Sequence, residues 1–374
     1  MRNILFFVLL LGTNPLIAQI IITNESFLRV GDTLLTAIDN LPANLNITPP
    51  GPDQRWDYTA LQAPFTRQTI VRPIGEGPRR ADFAAATFTL PLSNDTETYY
   101  RVTNTLLQLV GVYGEAPANL GMKALMRFQP PIIERRAPMR YRDENQMDAA
   151  MSLLLDANDL PPAVLQQLPL TPDSLRIRIK IARKDVVDAW GKLTVPGGIY
   201  NVLREKRIEI RETRLDVKVS AFPWQDISDL IPHSELTGRD TTVYYAFFSN
   251  EVKEPVAIVT MDKSEQRPIQ VVYKANDQNA NIQNVKTLKP SVYAFPNPAI
   301  VNVRFEFSNL PVGYYKLVLY NIIGTEVWSQ QYYINGQRTE RVDVSNFRKG
   351  TYLYSLRNEQ GHTIATKRIV VVRP

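Results

Sequence analysis

Between residues 301 and 372 apolar side chains recur at every second position, in short runs separated by turn residues. Val301, Val303, Phe305 and Phe307 alternate with Asn302, Arg304 and Glu306, the period of a strand buried on one face. Pro311 and Gly313 read as a turn, and Tyr315, Leu317 and Leu319 as the next strand. Residues 321–324 read as a second turn, and Asn335-Gly336 is the strongest two-residue hairpin signal in the chain. Val342 and Val344, then Gly350, Tyr352, Tyr354 and Leu356, and last residues 364–372 continue the alternation. Turn signals spaced about eight to twelve residues apart call for two packed antiparallel sheets. The segment 290–374 is therefore predicted to be an autonomous Ig-like β-sandwich.

The same period dominates the region before it. Leu175, Ile177, Ile179 and Ile181 point one way while Arg176, Arg178 and Lys180 point the other, giving one core face and one wet, basic face. Residues 199–219 read as a long returning strand after Pro196-Gly197-Gly198. Its apolar parity is even at Val202, Ile208 and Ile210 but odd at Leu215 and Val217, which predicts a bulge or turn at 211–214 to reset the register. Met147, Met151 and Leu154 fall at helical spacing, so residues 146–155 are predicted to form a helix, with a second short one over 163–168. The expectation is a mainly β chain: a large antiparallel β passenger over 19–274 carrying this small helical insertion, a linker over 275–289 rich in Asn, Gln and Lys, and the C-terminal domain over 290–374.

At the N-terminus, Met1-Arg2-Asn3, the apolar run 4–11 and Leu16-Ile17-Ala18 read as a signal peptide over 1–18, cleaved between Ala18 and Gln19. The apolar run is too short to span a bilayer, and no later segment carries the apolar length that a membrane helix needs. The chain holds no Cys, which leaves no disulfide, lipidated thiol or thiolate nucleophile. It holds two His, His233 and His362, too few for a multi-His metal centre and a weak basis for a Ser-His-Asp arrangement. No metal and no cofactor is expected. The formal charge of +6 favours anionic polymers in general without selecting one.

The C-terminal residues resemble a family, the type A C-terminal sorting domain of type IX secretion substrates. The resemblance rests on Pro296, Asn297, Pro298 and Ala299 in the opening motif, then on Leu319, Tyr320, Asn321 and Gly324. Gly336, the run Val342-Asp343-Val344-Ser345, Gly350, Tyr352, Leu356 and Lys367 with residues 369–371 continue it. Phe295 stands where the family more often has Tyr. The resemblance implies export through the periplasm by the type IX translocon. It implies removal of the domain by a sortase-like protease, with the passenger released or joined to lipopolysaccharide at the outer-membrane surface.

The passenger offers three constellations for chemistry. Glu251 with Glu254, and Asp185 with Asp188, could serve as the two carboxylates of a glycoside hydrolase. His233 with Glu235 and Asp226 could form a base and its orienting groups. None carries a specific motif, and the charged residues fit turns and strand edges equally well, so no catalytic residue is assigned. The expectation is a surface-attached or released binding or structural module for a glycan or other anionic polymer, nucleic acid being no ligand for an exported protein. A polysaccharide hydrolase using paired carboxylates is the alternative.

Overall fold

A computed structural model describes residues 19–371 except 40–41, 43–44, 63–64, 94–95, 115–122, 160–164, 166–167, 221, 232–236, 263, 276–290, 296, 298 and 300–301. The passenger strands are β1 (Thr33–Asp39), β2 (Gly51–Asp57), β3 (Phe65–Ile70), β4 (Arg72–Pro73), β5 (Phe88–Ser93), β6 (Thr96–Val102), β7 (Leu106–Gly114) and β8 (Ala124–Arg136). They continue as β9 (Glu144–Asp156), β10 (Ser174–Val195), β11 (Gly198–Lys218), β12 (Gln225–Asp226), β13 (Gly238–Phe248), β14 (Ala257–Met261) and β15 (Pro268–Lys274).

These strands run β3-β1-β15-β14-β13-β11-β10-β9-β8-β7-β6-β5-β4, with β12 added beside β11 and β2 beside β10. The two ends of this order, β3 and β4, are separated in sequence by Val71 alone. Its N–H donates to Asp32 O and its carbonyl accepts from Gly31 N, both at 2.9 Å. One stretch of chain thus joins the two ends of the strand order. The other seam is thin: β8 and β9 pair only at Gln129↔Ala150.

The organising element is the β10–β11 hairpin, paired from Ser174↔Lys218 to Val195↔Gly198. Leu175, Ile177, Ile179 and Ile181 are all buried and pack with Met147, Met151, Leu153 and Leu155 of β9. That contact overturns the expected helix over 146–155. Met147, Ala149, Met151, Leu153 and Leu155 are buried at period two, while Leu154, one of the residues that suggested a helix, is 64 % exposed. Met, Ala and Leu favour helix locally, but β9 pairs with β10 along residues 144–156, and tertiary pairing outweighs intrinsic propensity. Residues 160–164 and 166–167 of the second expected helix lie outside the described residues.

The register reset occurs in the partner strand instead of at 211–214. Pairing runs unbroken through Ile181↔Arg211, Ile179↔Thr213 and Ile177↔Leu215, and the shift falls between Val187 and Ala189 of β10. Before Asp188 the odd residues of β10 share a face with Leu215 and Val217; after it, Ala189 and Leu193 share a face with Val202. The changing parity of β11 therefore reflects one straight strand serving cores on both of its faces. Beyond the bulge β2 runs parallel to β10, so close that a Cβ on Gly191 would lie 1.9 Å from Gln54 O. Trp56 and Tyr58 at its end are buried against Phe247.

The C-terminal domain comprises β16 (Ser291–Phe295), β17 (Asn302–Asn321), β18 (Glu326–Asp343), β19 (Gly350–Asn358) and β20 (Thr363–Val371). They form a second sheet, β16-β17-β19-β20, with β18 on β17, antiparallel throughout. Phe305, Phe307, Leu317, Leu319, Ile334, Leu356 and Ile369 make its core. The turn at 321–324 is present, but those expected at Pro311-Gly313 and Asn335-Gly336 are not. Both lie inside long strands, with Gly336 opposite Leu310, where the register slips between Phe307 and Leu310 and again before Gly313. Residues that permit a turn serve there as bulges along a paired ribbon.

Candidate functional site

The C-terminal motif residues assemble around the two termini of their domain. Ala299 bridges Val371 in parallel, its N–H donating to Val370 O at 2.7 Å. Asn297 completes the clasp: its Nδ2 donates to Arg368 O at 3.2 Å and its Oδ1 accepts from Val370 N at 2.9 Å. A side-chain amide carries the same donor and acceptor as a peptide unit, so Asn297 substitutes for one rung of a ladder against the edge strand β20. Pro296 and Pro298 lie outside the described residues.

Asn321 and Gly324 build the β17–β18 turn. The Asn321 Oδ1 accepts from Ile323 N at 3.1 Å and Thr325 N at 2.8 Å, and Gly324 adopts φ +84°, where a side chain is disfavoured. Gly350 opens β19, and Tyr352, buried against Phe347, donates its hydroxyl to Arg348 O at 2.7 Å. Lys367 lies opposite Tyr354 on β20, on the inward face that Ile369 and Val371 share. Burial there pushes its amine down to about 8. An inward-pointing charge is one device that discourages an edge strand from pairing with foreign strands.

In the passenger the members of each candidate carboxylate pair have separate partners. The bulge sends Asp185 and Asp188 to different arginines: Asp185 accepts from Arg183 Nε at 2.9 Å, and Asp188 holds Arg204 in a two-pronged pair of 2.8 and 2.9 Å. Glu254 is buried in an ion pair with Lys274 at 2.7 Å, whereas Glu251 is exposed and accepts from Asn201 N at 3.1 Å. Asp226 accepts from Arg214 and Arg178. Partial burial works against its ionisation, but Arg214 and Ser228 hold its carboxyl far below the usual range. His233 and Glu235 lie outside the described residues, as does Ala18; Gln19 is the first residue described. No group of three His, Asp or Glu among the described residues could hold a metal.

What spacing did not reveal is a set of buried arginines where strands cross. Arg204 is fully buried between Trp56 and Tyr245, 5.5 and 5.0 Å from the ring centres, and also donates to Thr48 O at 2.9 Å. Arg207 is buried with Glu205 at 2.6 Å and donates to Glu134 O of β8. Burial raises the Glu205 carboxyl despite Arg207 beside it. Arg135 donates to Ser26 O at 2.8 Å and Lys253 O at 3.1 Å and lies over Phe248. Burial and then Arg207 push its guanidinium down to about 10. Buried and bonded to backbone and acids from other strands, these residues tie distant parts of the passenger together, with only Arg135 Nε among their buried donors left without a hydrogen-bond partner.

The accessible candidate is the seam between β8 and β9. On either side of the Gln129↔Ala150 bridge lie two shallow depressions of about 370 and 420 Å³, which share Gln129, Ala150 and Lys180. The first is walled by Pro130, Asp148, Lys180, Glu212 and Arg239 over Ala149 and Ile210. The second adds Arg127, Ser152 and Arg178. Lys180 faces Ala150 and Glu212, and Glu212 faces Arg239, in one cross-strand row. Asp148, Lys180 and Arg239 make no ion pair with another described residue.

No curated protein matches the chain. Residues 291–372 match the family model described as the secretion system C-terminal sorting domain, and with its motif residues clasping the two termini, this domain marks the chain as a substrate of type IX secretion.

Proposed function

We propose that the chain is exported to the cell surface and that its passenger is a glycan-binding module, the C-terminal domain being an Ig-like sandwich that serves for delivery. The family match over residues 291–372 supports delivery. A signal peptide ending at Ala18, attachment to lipopolysaccharide and removal of the domain by the processing protease fit the same route. Deleting residues 288–374 is expected to leave the passenger in the periplasm. Surface display of the shortened chain, read by protease accessibility on intact cells, would overturn this.

For the passenger, the seam between β8 and β9 carries the reading. The first depression sets Asp148 and Glu212 among Lys180 and Arg239 around a small apolar floor, an arrangement suited to the hydroxyls of a neutral sugar. Of the cations in the second, Arg127 and Arg178 are already paired with Asp82, Asp216 and Asp226. Charge balance agrees. Residues 291–374 contain ten Lys and Arg against five Asp and Glu, which leaves 33 against 32 for the rest of the chain. The overall basic charge is thus no argument for an anionic ligand of the passenger. A polysaccharide hydrolase has less support, because neither carboxylate pair lines either depression.

The test is retention of the mature chain on immobilised neutral and acidic glycans, with Lys180→Ala combined with Arg239→Ala as control. Retention on a neutral glycan, lost in the double variant and without new reducing ends, is the expected result. Retention that the variant leaves intact would move the site elsewhere, and product release would make the protein an enzyme.

A further inference from the structure

Five of the chain's six surplus positive charges fall within residues 291–374, and the fold gathers several of them at one end. As a straight strand the twenty residues of β17 would span about 65 Å. Its first residue, Asn302, pairs with Asp343, and its last, Asn321, pairs with Tyr352. Only residues 344–351 connect those two partners, a reach of about 30 Å at full extension. The connection is itself folded, with Phe347 N donating to Val344 O and Tyr352 reaching back to Arg348 O. The slips at Phe307, Leu310 and Gly313 therefore bring both ends of β17 to the same end of the domain. The clasp lies there too, since Val371 pairs with Gly350 and bridges Ala299.

This end has two features that folding does not require. The turn needs Asn321 and Gly324, but its two middle residues are Ile322 and Ile323, 74 % and 82 % exposed, the highest exposures of any large hydrophobic residue described. Polar residues would serve the turn equally well and cost less in solubility. At the same end, by the register Asn321↔Tyr352 and Tyr320↔Leu353↔Arg368, lie Arg348, Lys349 and Arg368, all exposed. Arg304 and Arg341 are register partners across β17 and β18. Asp343, the acid next to them, turns its carboxylate to Ser345 N at 2.8 Å.

We infer that this end of the sorting domain docks on an anionic membrane surface, with Ile322 and Ile323 entering the headgroup boundary and Arg348, Lys349 and Arg368 contacting lipid phosphates. Apolar tips flanked by basic side chains bind interfaces because the two contributions add. Apolar burial supplies part of the affinity, and each Lys or Arg near the surface adds to it through the surface potential. An acidic protein groove would also attract the basic residues, but it would not require two isoleucines at the tip of a turn.

The experiment is co-sedimentation of residues 19–374, sorting domain retained, with phosphatidylcholine vesicles, with and without roughly one-quarter phosphatidylglycerol. Three proteins are compared: the parent, Ile322→Ser with Ile323→Ser, and Arg348→Glu with Lys349→Glu. All substituted positions are exposed, and unchanged thermal unfolding confirms that each variant is folded. Expected is retention on the anionic vesicles only, weakened at least roughly tenfold by charge reversal and by raised salt, and severalfold by the serine pair. Equal retention on both vesicle types, or none on either, overturns the inference. So does retention indifferent to the serine pair, or equal binding of soluble polyphosphate by parent and serine variant, since either would reduce the site to simple charge attraction.

Discussion

In the C-terminal domain the turn residues that identify the family act on nearby backbone, Asn321 capping its own turn and Gly324 supplying a left-handed residue, while Asn297 reaches 71 and 73 positions along the chain to hold the closing strand. In the passenger the specific polar residues act across the chain. Arg204 reaches Thr48, 156 positions away, and Arg135 reaches Lys253, 118 positions away. Short-range work demands particular residue types at fixed spacing, because few side chains can cap a turn or tolerate positive φ. Long-range work demands only that the fold bring the partners together. Short-range work therefore leaves a readable motif, whereas long-range work resembles an ordinary charged strand face.

The sharpest way to break this contrast is to remove one long-range arginine. Arg204→Ala leaves Asp188 buried without its cation and takes a donor from Thr48 O. Breaking a buried pair from one side costs about 3–5 kcal/mol, a large share of a domain's total stability. Thermal unfolding should show the passenger transition falling steeply while that of the sorting domain stays in place. Arg204→Met combined with Asp188→Leu, which removes both charges and keeps apolar volume, should recover most of the loss. A single variant as stable as the parent would mean that Arg204 only fills space.

The same contrast explains what could be read in advance. The alternation at 175–181, the hairpin closed by Pro196-Gly197, and the sorting motifs were legible because period and turn chemistry are local. The strand β9 was not: Met147, Met151 and Leu154 satisfy a helix as well as a strand, and only the neighbouring β10 decides. Nor were the bulges. Asn335-Gly336 offers a hairpin, but a paired ribbon runs through it, and the parity change of β11 originates at Asp188 of the opposite strand. Asp185 and Asp188 were one candidate carboxylate pair in sequence, and that same bulge sends them to different arginines. The seam between β8 and β9 leaves no mark in the sequence, since Gln129, Asp148, Lys180 and Arg239 come from four strands.

A smaller effect tests the clasp. Asn297→Ala removes two hydrogen bonds that hold β20, at a cost of about 1–2 kcal/mol given their exposure. Asn297→Asp keeps the acceptor for Val370 N and should lose less. Hydrogen exchange should show early opening at residues 368–371 in the alanine variant, with β17 still protected. If the two variants exchange alike, the amide is not acting as a ladder rung.

The smallest effect runs in the opposite direction, because Lys367 belongs to the motif and yet opposes folding. Its amine titrates near 10.5 in an unfolded chain and near 8 in the folded domain. Below pH 8 both states hold the proton, so the full cost of burying the charge is present. Between pH 8 and 10.5 the unfolded chain binds more protons than the folded one, and stability rises with pH through that window. Lys367→Met should therefore stabilise the domain by about 1–2 kcal/mol at neutral pH, after allowance for partial exposure, and flatten the rise above pH 8. A lysine retained against stability at the edge of a sheet fits the role of keeping that edge from pairing with foreign strands. The methionine variant should accordingly be more stable and more prone to self-association, and light scattering reads the latter outcome. A variant that is more stable and stays monodisperse would leave the edge protected by the Asn297 clasp alone.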